Sequence, residues 1–208
     1  MGRHGFSIQD ATVDELYSAG EWYLMAGASD SEGLGEVLAE TREEGLLSAA
    51  LRGGRVHATT AFQNSMVIND QAFALTLALS ARARGRTIGM LLCGPNLAAL
   101  PNSPTSDEHR QAMMSSIAKL HMVAVDSEFR NQRIASSLVR RAIEVMRDSG
   151  FEVMYGEYES GAMLSKFYER NGFTVLVPGE EALNFSDFVG QPLFVKTDRG
   201  EIQFALDL

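Results

Sequence analysis

The sequence predicts a mixed α/β protein, with a mostly antiparallel central sheet and helices on both of its faces. Three observations carry this. Apolar residues recur at helical spacing through residues 13–47. Two strand-like runs joined by a short turn follow at residues 72–93. From Ile117 to Val177, strand and helix patterns then alternate. A length of 208 residues suits one domain with a large core. It divides into a helix-rich acidic part at 1–70, a core at 71–177 and a C-terminal loop with a strand hairpin at 178–208.

Each element has a local reason. Phe6–Ile8 is a short strand candidate. Asp10 or Thr12 caps a helix from Val13 to Met25, with Leu16, Tyr17 and Leu24 at helical spacing. Asp30 or Ser31 caps a second helix, striped by Leu34, Val37, Leu38, Leu46 and Leu47 and ended by Gly53-Gly54. His57–Asn69 reads as a short helix and a loop. Ala72–Ser80 and Arg86–Cys93 read as strands joined through Ala81-Arg-Ala-Arg-Gly85. Gly94–Asp107 holds Pro95, Pro101 and Pro104 and reads as a long loop, either a binding lid or a disordered excursion. Then come Ile117–Val125 (strand), Asn131–Ser149 (helix), Phe151–Glu157 (strand), Gly161–Asn171 (helix) and Phe173–Val177 (strand). Leu193–Thr197 and Ile202–Leu208 flank Asp198-Arg-Gly-Glu201 as a closing hairpin.

Composition narrows the class. The 45% hydrophobic content is that of an ordinary globular protein. No apolar run nears the roughly 20 residues that span a bilayer, and Met1–Ser7 lacks a signal-peptide core. Cys93 is the single cysteine, so no intrachain disulfide or cysteine metal cluster forms. A cytoplasmic location is the expectation. His4, His57 and His109 are isolated and lack ligand spacing, so no metal is expected. Net charge is −9, and residues 1–50 hold ten acids against two bases. That acidic first quarter repels nucleic acid and attracts cationic molecules such as amines; it also reads simply as a solvated, polar helix face.

The segment from Lys119 to Leu138 is the most specific. A strand, Lys119–Val125, turns through Asp126–Phe129 straight into a helix opened by Arg130–Ala135. Such a junction makes an anion site, because the first helical N–H groups lack intrahelical partners. Small residues at Ala135 and Ser136 let a phosphate approach. No Gly-Lys-Ser/Thr follows, so it is not a nucleoside-triphosphate P-loop.

This segment resembles the acetyl-CoA pyrophosphate loop of the GNAT superfamily of N-acetyltransferases, Gln/Arg-x-x-Gly-x-Gly/Ala after a strand ending Val-x-Val. Arg130 fills the first position and Ala135 the last. Arg133 stands where Gly is usual, where a side chain either crowds the pyrophosphate or adds a charge-assisted contact to it. Downstream, Phe167-Tyr-Glu-Arg-Asn-Gly-Phe173 resembles the family's Tyr-Glu-x-x-Gly-Phe motif. The resemblance covers roughly Ala72–Val177. It implies a sheet whose two central strands splay apart for the cofactor, and it makes 71–177 the acetyl-CoA-binding core. It implies cofactor contacts from Val123, Ala124 and Val125 along the strand, and from Arg130, Asn131, Gln132, Arg133, Ile134, Ala135 and Ser136 at the loop.

Four tasks then need residues: grip on the cofactor, polarisation of the carbonyl, deprotonation of the amine and protonation of the thiolate. By the resemblance, a backbone N–H near Val123 polarises the carbonyl. His121 is the candidate base; period-two spacing puts it on one strand face with Lys119, Val123 and Val125. Lys-Leu-His-Met-Val-Ala-Val is also similar to arylalkylamine N-acetyltransferases, which have a catalytic histidine at the position of His121 and a second where Lys119 stands here. Glu157 and Glu159 are rival bases or amine anchors. Tyr168 aligns with the family tyrosine that protonates the thiolate, and Gly161 replaces a frequent pantetheine-binding Asn. These residues imply direct acetyl transfer to a primary amine of a small cationic acceptor, with acetyl-CoA as co-substrate and neither nucleic acid nor membrane as partner; a homodimer is left open. Two alternatives stand: a protein acetyltransferase acting on lysine or an N-terminus, and a degenerate acyl-CoA sensor.

Overall fold

The computed structural model describes residues 5–27, 32–53, 68–96, 107–176, 183–190, 192–196 and 200–208. Its strands are β1 (Ser7–Asp10), β2 (Leu77–Ala83), β3 (Arg86–Gly94), β4 (Ile117–Val125), β5 (Val153–Glu159), β6 (Thr174–Val175), β7 (Leu183–Asn184), β8 (Phe194–Val195) and β9 (Glu201–Asp207). Its α-helices are α1 (Val13–Leu16), α2 (Ala19–Met25), α3 (Leu34–Glu43), α4 (Ile68–Ala74), α5 (Asp107–Ser116), α6 (Ile134–Asp148), α7 (Ser165–Arg170) and α8 (Ser186–Val189). The main sheet runs β1-β2-β3-β4-β5-β9-β6, antiparallel except between β4 and β5, and β7 pairs with β8 apart from it. The mixed, mostly antiparallel class read from the sequence is therefore the one observed.

Helix α6 buries Ile134, Leu138, Val139, Ala142, Ile143 and Met146 on one face of the sheet. Their i, i+4 and i+3 spacing makes one apolar stripe. Beneath that helix Gly89 is required: a Cβ there would sit 2.9 Å from the Ala124 carbonyl and 3.3 Å from Val125 Cγ2. On the opposite face Leu16, Ala19, Trp22 and Leu38 pack on Ala78, Met90, Leu92, Met122 and Ala124. Among the described residues no helix is long and apolar enough to cross a membrane.

Several boundaries differ from the sequence reading. The predicted Val13–Met25 helix breaks at Ser18, whose hydroxyl donates to the Glu15 carbonyl at 2.8 Å. That break lets α3 pass close by, since a Cβ at Gly35 would lie 2.4 Å from the Tyr17 carbonyl oxygen. Helix α3 stops before Gly45 (φ +76°), not at Gly53-Gly54, because the left-handed glycine turns the Leu46 and Leu47 amides back to the Thr41 carbonyl. Its predicted caps, Asp30 and Ser31, lie outside the described residues, as do His57 and most of the Gly94–Asp107 loop.

Ala72–Ala74, read as strand, is helical; the Thr76 hydroxyl closes that helix onto the Ala72 carbonyl at 2.8 Å, and β2 starts at Leu77. The turn after β2 is tighter than read, with Arg84 and Gly85 both at positive φ (51° and 78°) as a two-residue hairpin needs. Helix α5 occupies residues that the sequence left unassigned. Strand β5 is shifted two residues onward, and a 3-10 turn at Ser160–Ala162 with Met163 at φ 51° replaces the first part of the predicted Gly161–Asn171 helix. Among the described residues the predicted C-terminal hairpin is not formed. β9 pairs with β5 on one edge and β6 on the other, leaving no edge for β8, which pairs with β7. The Gln203 side chain joins the two sheets, donating to the Val195 carbonyl at 2.9 Å and accepting from the Leu183 amide at 3.2 Å.

Candidate active site

Strands β4 and β5 pair only over Ile117–Lys119 against Val153–Tyr155. Beyond that point they part, so among the described residues Leu120–Val125 have no partner strand on the β5 side. A fork in the middle of a sheet exposes a row of main-chain donors and acceptors to whatever enters it, which is the β-augmentation geometry.

A second irregularity lies on the other edge of β4. Leu92 pairs with Met122 but Cys93 with Leu120, so His121 is the extra residue of a β-bulge. The bulge reverses the facing of the strand. Lys119 and His121 line a cleft with Tyr23, Leu34 and Phe73, and Met122 and Ala124 continue on that side, while Val125 packs with Ile134 on the α6 side. The expectation that His121 shares a face with Val123 and Val125 is therefore corrected: strict alternation fails where one residue is inserted.

At the end of β4 the chain makes a 3-10 turn at Ser127–Phe129 and enters α6 through Arg130–Arg133. Asn131 (φ 62°) and Arg133 (φ 65°) are both left-handed. Arg133 is the N-cap, which explains why glycine suits this position: a non-glycine residue there costs about 1 kcal/mol. Alternating left-handed residues curl successive amides into an anion-binding concavity. The Ser137 amide bonds back to the Arg133 carbonyl at 3.0 Å; the amides of Ile134, Ala135 and Ser136 precede it in the first turn. The guanidinium of Arg130 donates to the Val125 carbonyl at 3.4 Å, and Arg86 braces the turn through Asp126 at 2.5 Å and the Phe129 ring at 5.3 Å. An acyl-CoA pyrophosphate fits this donor set: free first-turn amides, two exposed arginines and a concave main chain.

The two motifs touch. Asn171 Nδ2 donates to the Phe167 carbonyl at 2.7 Å and reaches Ser136 Oγ at 3.3 Å, tying α7 to the start of α6. Tyr168 is buried and lies on Phe204 with ring centroids 3.6 Å apart, flanked by Tyr158, Phe167 and Phe173. The Tyr158 hydroxyl is engaged by Ser165 at 2.7 Å, whereas among the described residues nothing hydrogen-bonds the Tyr168 hydroxyl. Burial, and to a smaller extent Tyr158, pushes the Tyr168 phenol upward, so it stays protonated.

The cleft beside His121 has a volume of about 470 Å³ and is walled by Tyr23, Glu32, Leu34, Val37, Leu38 and Phe73. His121 Nε2 lies 3.1 Å from the Pro95 carbonyl oxygen. A carbonyl only accepts, so Nε2 carries the hydrogen in the neutral ring and Nδ1 is its basic atom. Burial, then the charge of Lys119, push the imidazole down to about 4 against the opposing pull of the Pro95 and Gly94 carbonyls; it is neutral at pH 7. Glu157 is not free. Its carboxylate is bridged to Lys119 Nζ, both side chains being about four-fifths buried. Glu159 is exposed at the end of β5. The sequence signalled neither the bulge nor this bridge, and it gave no sign that Tyr23 and Phe73 wall the cleft.

A fork in a mixed sheet beside an anion-ready helix start is the arrangement that the acyltransferase resemblance implies. The chain belongs to the acetyltransferase (GNAT) family, whose model matches residues 56–173, more than half of its length. Solved structures share the fold. YncA from Salmonella typhimurium, solved with its cofactor acetyl-CoA, is 16% identical at a TM-score of 0.57, covering 98% of this chain and 94% of that one. Ribosomal-protein-alanine N-acetyltransferase from Brucella melitensis is 17% identical at a TM-score of 0.56, covering 97% and 99%. PaiA N-acetyltransferase from Thermoplasma acidophilum, in complex with coenzyme A, is 16% identical at 0.50, covering 98% and 99%. No curated protein matches the chain in sequence.

Proposed function

We propose that this acetyltransferase acetylates the primary amine of a small cationic acceptor, taking the acetyl group from acetyl-CoA by direct attack. The observation that carries the reading is the junction of fork and cleft: the strand that lines the β4–β5 opening also projects His121 into the space walled by α2 and α3. First-turn amides of α6 and the flanking arginines hold the pyrophosphate. Unpaired main chain of β4 holds the pantetheine arm and places an N–H against the thioester oxygen.

In this reading His121 Nδ1 takes the proton that the attacking amine loses, directly or through a water. Tyr168 Oη supplies the proton that the departing sulfur needs. Glu157 acts through Lys119 and not as the base. Cys93 does not serve as a nucleophile: it is fully buried, and burial pushes its thiol far upward, away from the thiolate form. The acidic first quarter, with Glu32 on the cleft wall, draws in a cationic acceptor.

The test is release of free thiol from acetyl-CoA against a panel of small amines, lysine peptides and peptides with free N-termini. Turnover on small amines supports the proposal. Turnover on peptides alone makes the chain a protein acetyltransferase, and CoA binding without thiol release on any acceptor makes it an acyl-CoA sensor.

A further inference from the structure

The Lys119–Glu157 bridge is where the fork begins. Lys119 and Tyr155 form the last register pair between β4 and β5, and Glu157 lies two residues past it on the departing strand. The Lys119 side chain leans forward across the opening to reach it. Both side chains are mostly buried, so the contact is poorly screened. Lys119 also lines the cleft with His121, two residues away on the same face and so roughly 7 Å distant. Among the described residues, the charged and titratable groups that line the cleft with His121 are Lys119 from β4, Tyr23 from α2 and Glu32 ahead of α3, and Glu157 of β5 stands behind them, bridged to Lys119; the Pro95 carbonyl caps the ring. Among the described residues of this cleft, Lys119 is the one cation.

We propose that Lys119 is a positioning residue of the transfer site: bridged to Glu157, it sets the width of the fork at its apex and fixes a positive charge beside His121 that adds to burial in opposing protonation of the imidazole. The inference rests on the transferase reading for its meaning in turnover, but its physical content is testable without turnover. A bare structural brace would be replaceable by any pair that fills the space. A charge that acts on His121 is not.

The experiment follows the imidazole of His121 by NMR in the intact chain, its signals assigned by their absence in His121→Ala. Lys119→Met keeps the stem and removes the charge, leaving Glu157 unpaired. It should raise the His121 midpoint by about one pH unit or more, since loss of a cation and exposure of an anion act in the same direction. Lys119→Arg keeps the charge and should leave the midpoint within about 0.3 unit. In an active enzyme the acidic limb of kcat/KM should move upward with the NMR midpoint in Lys119→Met and stay in Lys119→Arg. An unchanged midpoint in a cooperatively melting Lys119→Met variant overturns the proposal.

If Lys119→Met does not fold, Glu157→Gln decides. It leaves the cation without its counter-charge and should lower the midpoint below that of the wild type; no change there is equally fatal. A shifted midpoint in a protein that acetylates nothing would sink the transferase reading while leaving the electrostatic role standing. An unshifted midpoint in an active enzyme would do the reverse.

Discussion

Gly156→Ala tests whether the aromatic stack under Tyr168 supports the chemistry. Gly156 pairs with Phe204 across β5 and β9, and a Cβ there would fall 2.4 Å from Phe204 Cζ and 2.9 Å from Cε2. Contacts that short cannot persist, so the ring must move. It has nowhere easy to go: Phe204 is fully buried, with Tyr168 stacked on it at 3.6 Å and Phe173 edge-on at 5.1 Å. Overpacking of this kind costs about 1–3 kcal/mol. In a chain of this length that lowers Tm by roughly 3–10 °C. The ring passes its displacement to Tyr168, and an error approaching 1 Å in a proton donor costs about 10²-fold in rate. The expected result is a lower melt together with a kcat reduced by about 10- to 100-fold, and little change in the affinity for acetyl-CoA, because the first-turn amides of α6 are not part of the stack. Gly5→Ala, where an added Cβ meets nothing within 4 Å, is the control. A Gly156→Ala protein with wild-type Tm and wild-type kcat would refute both the packing argument and the role given to Tyr168.

Other expectations follow from the same geometry. Ala135→Leu places a bulky side chain on the first turn of α6 and should weaken CoA binding by about tenfold or more, roughly 1.4 kcal/mol, by calorimetry; unchanged affinity in a folded variant removes the loop as the pyrophosphate site. Tyr168→Phe removes one oxygen and keeps the ring, so kcat should fall by about 10²–10⁴-fold while the melt and acetyl-CoA binding hold. His121 couples stability to pH. Its folded value of about 4 lies below the ordinary 6.5 of the unfolded chain, so between the two the unfolded state binds more protons. Stability is full above about pH 6.5 and declines as pH falls toward 4, by roughly 3 kcal/mol. Urea titrations of the wild type and His121→Gln across that interval should converge as pH drops, and parallel curves would mean that the imidazole is not buried neutral.

What was legible in the sequence was whatever announces itself locally. Helix α6 is a long stripe from Ile134 to Met146, and β4 is an apolar run interrupted only by Lys119 and His121, so both were readable in place. The stretch Ala72–Ser80 misled because a short run of Ala, Leu and Phe is compatible with either helix or strand; tertiary packing gave its first residues to α4. The C-terminal hairpin misled for a different reason. Two apolar runs around Asp198-Arg-Gly200 look like paired strands, but pairing depends on which edges are vacant, and β5 and β6 take both edges of β9. At the site, the positions of Arg133 and Asn171 could be named, yet the conformation of Arg133 and the reach of Asn171 to Ser136 could not. The bulge at His121 was invisible. Nothing in Lys-Leu-His-Met-Val marks an inserted residue, and the insertion decides which side of the sheet the imidazole serves.

The brevity of the β4–β5 pairing has a mechanical consequence. The sheet is sewn together at its middle by one short seam, with β1–β4 on one side and β5, β9 and β6 on the other. In the proposed reading, an acyl-CoA arm lying in the fork bonds to the unpaired main chain of β4 and extends the stitching. In that reading the donor is also a structural element, supplied from solution and withdrawn at each turnover. Amides along the inner edges of β4 and β5 should exchange fastest in the empty protein and slow most when CoA binds, with a rise in Tm that follows ligand concentration by mass action.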